Sequence, residues 1–138
     1  MARFRFRLQP VLRQRELAER DEQLIVAEIE RDRLRLEEKL RRAQQEIQLE
    51  QAELNSYVGR GAVNPMHARA QSAAILKAKA NAQHVAKELA LVYKRLERAR
   101  GELAQAAMRR RSIEARSTRR RFGWSTATSF VMLPSCLR

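Results

Sequence analysis

The chain has 138 residues, enough for one ordinary domain, but charged residues make up 33% and aromatics only 5%. Ala, Leu, Glu, Gln and Arg dominate, a mixture that reads as long helix with no thick core and no closed cavity for a substrate. Its net charge of +13 points to an anionic partner, whether nucleic acid, an acidic protein or a membrane surface, without choosing among them.

Residues 1–10 read as an extended N-terminal arm. Arg3, Phe4, Arg5, Phe6, Arg7 and Leu8 alternate with a two-residue period, which suits an extended strip with one apolar edge. The arm admits three readings: a cap on the base of a helical pair, a membrane-touching segment, or an insertion into a partner. Two Phe anchor a membrane only weakly, so protein contact is favoured. Pro10 then suits the first turn of a helix, and no Gly or Pro interrupts the chain from Val11 to Val58.

This first helix carries an apolar seam at Leu36, Leu40, Ala43, Ile47 and Leu54, with Glu50 as a polar lapse. Upstream, Leu17, Leu24, Ile25 and Ile29 do not keep one phase, which predicts a stutter or a wider apolar face. Opposite charges spaced as Glu16 with Arg20 and Glu38 with Arg42 support a solvated helix.

Asn55 to Pro65 gathers Asn55, Ser56, Gly59, Gly61, Asn64 and Pro65, and predicts the turn. Gly59-Arg60-Gly61 lacks the strand and the Lys-Ser/Thr pair of a phosphate loop, and is read as turn chemistry. Tyr57 and Arg60 at its tip are of interest only as partner contacts. Asn64 and Pro65 form an N-cap and first position. The second helix is expected to run to about Arg116, with Gly101 as its one weak point.

Its pattern is the clearest in the chain. Ile75, Ala78, Ala82, Val85, Leu89, Val92, Leu96, Ala99, Leu103 and Ala106 follow one another in steps of three and four. That spacing is the seam of a coiled coil. Residues 11–54 and 65–108 match in length, each roughly 65 Å as helix. The fold class is therefore all-α: a long antiparallel two-helix coiled-coil hairpin over residues 11–116, with its turn at 55–65. Folding at that turn places Leu54 near Met66, Ile47 near Ala73 and Leu12 near Met108, and leaves 109–116 to overhang.

Charge is uneven along this frame. Residues 1–54 hold 12 basic and 12 acidic side chains, a net of zero, whereas residues 65–116 hold 12 basic and 4 acidic, a net of +8. The run Arg109-Arg110-Arg111, extended by Arg116 and by Arg119 to Arg121, is the strongest charge signal. It reads as a solvated helix end, a nucleic-acid contact, an acidic protein groove or a membrane contact; zipper-type DNA readers place their basic region before the heptads, not after. Residues 117–138 form a basic tail with no acid and no heptads, expected to be disordered or loosely attached.

Chemistry-bearing groups are sparse. His67 and His84 have no Cys or carboxylate at ligand spacing, so no metal site is expected. No nucleophile, paired carboxylate or cofactor loop points to an enzyme, and no cofactor is expected. The lone Cys136 forms no internal disulfide. No apolar run approaches a bilayer span and no secretory signal is visible, so the expected location is cytoplasmic.

The opening Phe4-Arg5-Phe6-Arg7-Leu8-Gln9-Pro10-Val11-Leu12-Arg13 with Arg15-Glu16-Leu17 resembles the start of the flagellar export protein FliJ family. The turn at Val58-Gly59-Arg60-Gly61 is also compatible, and the resemblance covers about residues 3–116. It implies an antiparallel two-helix coiled coil similar to the stalk of rotary ATPases. The implied partners are the hexameric flagellar export ATPase, the membrane export gate and export chaperones, at the cytoplasmic face of the inner membrane. The ATPase side is placed at Phe4, Phe6, Leu8, Arg13, Arg109, Arg110 and Arg111. On the gate side, Ala80 and His84 match the family's residue types; Ala73, Lys77, Lys39, Ala43, Glu46 and Glu50 fall on the same face but differ in type. No nucleic-acid partner is expected on this reading. A basic coiled-coil module that binds nucleic acid, or a structural spacer, is the alternative.

Overall fold

A computed structural model describes residues 7–129, with side chains as far as Arg120. Among the described residues the secondary structure is two helices and no strand. Helix α1 spans Gln9–Gly59 and helix α2 spans Pro65–Ser129, and the two pack against each other. Pro10 lies in the first turn of α1, where its missing N–H is not needed, and the Leu12 N–H already bonds the Leu8 carbonyl at 2.9 Å.

The chain divides into two compact units. One is formed by residues 26–98; the described parts of the other are residues 7–25 and 99–129.

In the 26–98 unit the helices run antiparallel. Leu36 of α1 packs with Val85, Leu89 and Val92 of α2, flanked by Ile29 and Leu40. Val85 is wholly buried. Each such side chain removed from water stabilises the pair by about 1.5–3 kcal/mol. On α2 one row of buried and half-buried positions is Ile75, Ala78, Ala82, Val85, Leu89, Val92 and Leu96; on α1 one row is Val26, Ile29, Arg33, Leu36, Leu40, Ala43, Ile47, Glu50 and Leu54, while Glu30, Asp32, Glu37, Glu38 and Tyr57 of α1 and Ala68, Gln71 and Glu88 of α2 are half-buried outside these rows. Both rows advance by three and four.

The connection is shorter than the turn-former cluster implies. Asn55 and Ser56 remain helical, and the link is Arg60 to Asn64. Gly61 takes a positive φ of 82°, a conformation that a side chain disfavours, and this ends α1. Asn64 caps α2: its Oδ1 accepts the Met66 N–H at 3.0 Å, and the Tyr57 hydroxyl accepts the Asn64 N–H at 2.9 Å. Because α1 runs to Gly59, the fold-back point moves towards the C-terminus and the expected register shifts. Met66 is 77% exposed, and Ala73 and Met108 are likewise exposed rather than seated against α1. Leu54 instead shares a groove with Ser72 and Ile75.

In the other unit, α1 keeps the same three-four phase through Leu8, Leu12, Arg15, Glu19 and Glu22, all half-buried. Leu17, Leu24 and Ile25 are exposed, Leu24 by 64%, and lie on the side away from α2. Arg15, Glu19 and Glu22 join Leu8 and Leu12 in this half-buried row. On α2 the facing row is Ala99, Leu103, Ala106, Arg110, Ile113 and Ser117. The segment expected to overhang from residue 109 is therefore partly enclosed, and α2 continues past Arg116 to Ser129, so residues 117–129 are helical. The expected extended arm lies mostly outside the described residues; of it, residues 7–8 form a turn and Gln9 and Pro10 already belong to α1.

Candidate functional site

Among the described residues the grooves are open clefts on helix surfaces, so candidate sites are strips of side chains. The ATPase-side set divides. Phe4 and Phe6 lie outside the described residues. Leu8 is half-buried, and Arg13 is exposed beside a shallow groove that it lines with Glu16, Leu17 and Arg20. Arg109 and Arg111 are exposed. Arg110 between them is not a surface cation. Its Nε donates to Glu19 of α1 and its Nη1 to Glu114 at 2.7 Å. The hydrogen bond to Glu19 is the main reason its guanidinium is held even more firmly protonated than usual. Three consecutive arginines on a helix cannot share a face, and the middle one points inward.

The gate-side set forms a single strip. Ala73, Lys77, Ala80 and His84 are all exposed on α2, spaced by four, three and four residues. His84 Nε2 lies 3.3 Å from Glu88 Oε1, an ion pair only when the imidazole carries a proton. Lys39 and Glu46 of α1 are exposed, but Ala43 is buried in the seam, and Glu50 accepts a hydrogen bond from Gln71. Neither Ala43 nor a fully available Glu50 can belong to an open contact face.

Polar networks tie specific points of the 26–98 unit. Arg33 bridges Glu30 at 2.7 Å and Glu37 at 2.8 Å, while Glu37 also accepts from the Tyr93 hydroxyl of α2. That hydroxyl is the chief cause holding the Glu37 carboxyl below its ordinary range. Glu38 accepts from Arg41 and Arg42, each at 2.9 Å, and these bonds lower its carboxyl pKa to about 2. At the tip, the rings of Tyr57 and His67 stand 4.5 Å apart.

The sequence reading missed a cleft in this unit. A surface groove of about 600 Å³ is floored by Leu36 and Val92 and edged by Leu91, Lys94, Arg95 and Arg98. Leu91 steps out of the α2 seam by one residue, and that displacement is the signal that would have found it.

Among the described residues, no group of three His, Cys, Asp or Glu side chains could hold a metal ion, and no helix is long and apolar enough to cross a membrane. Comparisons with protein-family models, with curated proteins and with solved structures find no match for this chain.

Proposed function

We propose that the chain is a non-enzymatic stalk and adaptor of the flagellar type III protein export apparatus. On this reading the two packed helices are an antiparallel coiled-coil hairpin that binds the export ATPase ring, the export gate and export chaperones from the cytoplasmic side of the inner membrane. The observation that carries the reading is the three-four recurrence of enclosed positions on both helices. A pair built on one seam has its interior used up by packing, so what it does is done by its outer faces. The opening motif from Phe4 to Leu17 supports the family, and the exposed strip through Ala73, Lys77, Ala80 and His84 supports a contact along α2.

The test is co-purification with the export ATPase and the gate's cytoplasmic domain, with ATP hydrolysis measured as the chain is titrated in. Stable co-elution and a rise in hydrolysis are expected. Absence of both removes the reading.

The alternative, a nucleic-acid-binding module, is favoured by one specific feature, the basic excess of α2. It predicts tight binding to random duplex DNA that weakens steeply with salt, because neutralised phosphates release counterions.

A further inference from the structure

The groove in the 26–98 unit is a more specific surface than its net charge. Its floor is the rim of the packed seam, where Leu36 and Val92 keep only 8% and 7% of their surface exposed, and Leu91 stands beside it 62% exposed. A large apolar side chain left in water next to an apolar floor is an anchor without a socket partner. Beside Arg35, three further cations, Lys94, Arg95 and Arg98, line the same groove. None of the three is held by an ion pair or hydrogen bond within the described residues, whereas Asp32 pairs with Arg35 at 3.3 Å and Glu88 lies 3.3 Å from His84, which neutralises it only when the imidazole is protonated; cations still outnumber carboxylates in the lining by four to two. The free charge of the groove is therefore positive, and its centre is apolar.

We infer that this groove docks an acidic amphipathic helix of a partner protein, which lays apolar side chains over Leu91, Leu36 and Val92 and presents carboxylates to Lys94, Arg95 and Arg98. A helix fits a groove between two helices, with residues one turn apart as anchors. Carboxylates match three unpaired cations. Nucleic acid fits less well, since it has no use for the apolar floor and Asp32 and Glu88 would stand against its phosphates. The surface does not depend on the export reading, because it rests on this groove alone.

The experiment uses the full chain and fluorescently labelled synthetic helices. The probe is an amphipathic peptide of Leu on one face and Glu on the other. Controls are the same peptide with Lys for Glu, a Glu/Ser peptide without Leu, a random DNA duplex and phosphatidylglycerol vesicles. The Leu/Glu helix is expected to bind, with Leu91→Ser or the pair Arg95→Glu and Arg98→Glu each weakening it by about tenfold. The matched charge change Arg69→Glu with Lys79→Glu, both exposed and outside the groove, leaves binding within about twofold. Circular dichroism verifies that each variant keeps its helices, which the exposure of these side chains leads us to expect. Equal loss from the Arg69/Lys79 variant overturns the site, since only net charge would then matter. So does undiminished binding by the groove variants. Equal binding of the Glu/Ser peptide removes the apolar anchor, and tighter, Arg95- and Arg98-dependent binding of DNA or vesicles replaces the helix with those ligands.

Discussion

Arg110 of α2 donates to the Glu19 carboxylate of α1 inside the packed seam, and Glu114 holds the same guanidinium from its own helix. The two carboxylates are not equivalent. Removing Glu19 leaves Arg110 with Glu114, whereas removing Arg110 leaves Glu19 half-buried with no cation in hand. Arg110→Ala is therefore expected to lower the urea midpoint more than Glu19→Ala does. Replacing both by Leu restores stability to the parent level or above, because a well-packed apolar pair avoids the cost of desolvating two charges. Equal effects of the two single changes would show that Glu114 does not hold the guanidinium once Glu19 is gone.

Leu96 and Leu91 are the same residue type on the same helix in opposite settings, 3% and 62% exposed. Leu96→Ala is expected to destabilise by about 2–4 kcal/mol through lost burial and the cavity left behind. Leu91→Ala stays within about 0.5 kcal/mol. Denaturant unfolding of both variants checks the assignment of the seam.

Two glycines predict changes of opposite sign. A Cβ at Gly101 meets nothing within 4 Å, so Gly101→Ala is expected to stabilise α2 by about 1 kcal/mol through helix propensity. Gly61 is equally uncrowded but sits at φ +82°, where a side chain strains the backbone, so Gly61→Ala is expected to cost about 1 kcal/mol. Thermal melts of the two variants should move in opposite directions.

Acid stability follows from the Glu38 cluster. Its folded pKa, about 2, lies below the ordinary 4.5, so the carboxylate favours the folded state above pH 4.5 and that contribution is lost as pH falls towards 2. Glu37 acts with the same sign, through the Tyr93 hydroxyl first and Arg33 second. Glu38→Gln is expected to flatten the fall in melting temperature over this window, and Tyr93→Phe to flatten it further. An unchanged pH profile would mean that these bonds do not persist in solution.

The seam of α2 was legible because every one of its positions from Ile75 to Ala106 is apolar, and an unbroken run needs no context. The N-terminal part of α1 was not, because there the apolar residues and the enclosed positions part company. Hydrophobic spacing follows Leu17, Leu24 and Ile25, which face solvent, while Arg15, Glu19 and Glu22 continue inward. Stepping back from Leu36 by threes and fours, regardless of polarity, would have found them. The turn was overestimated for a similar reason: Asn55 and Ser56 are turn formers by propensity but lie within a helix that packing extends to Gly59. Among the candidate contacts, Arg110 was read by charge alone, and charge does not say whether a carboxylate from the neighbouring helix already holds it.

The short side chains of the 26–98 seam have a mechanical consequence. Ala43 and Ala78 are buried there and Ala82 nearly so. Methyl groups are poor spacers, so neighbouring backbones can approach closely and leave little slack between them. A Leu at any of the three would act as a wedge, and the strain would spread along the axes because close-packed interiors deform little. Slenderness here is thus a property written by alanine, and thickening it at one level would bend its neighbours.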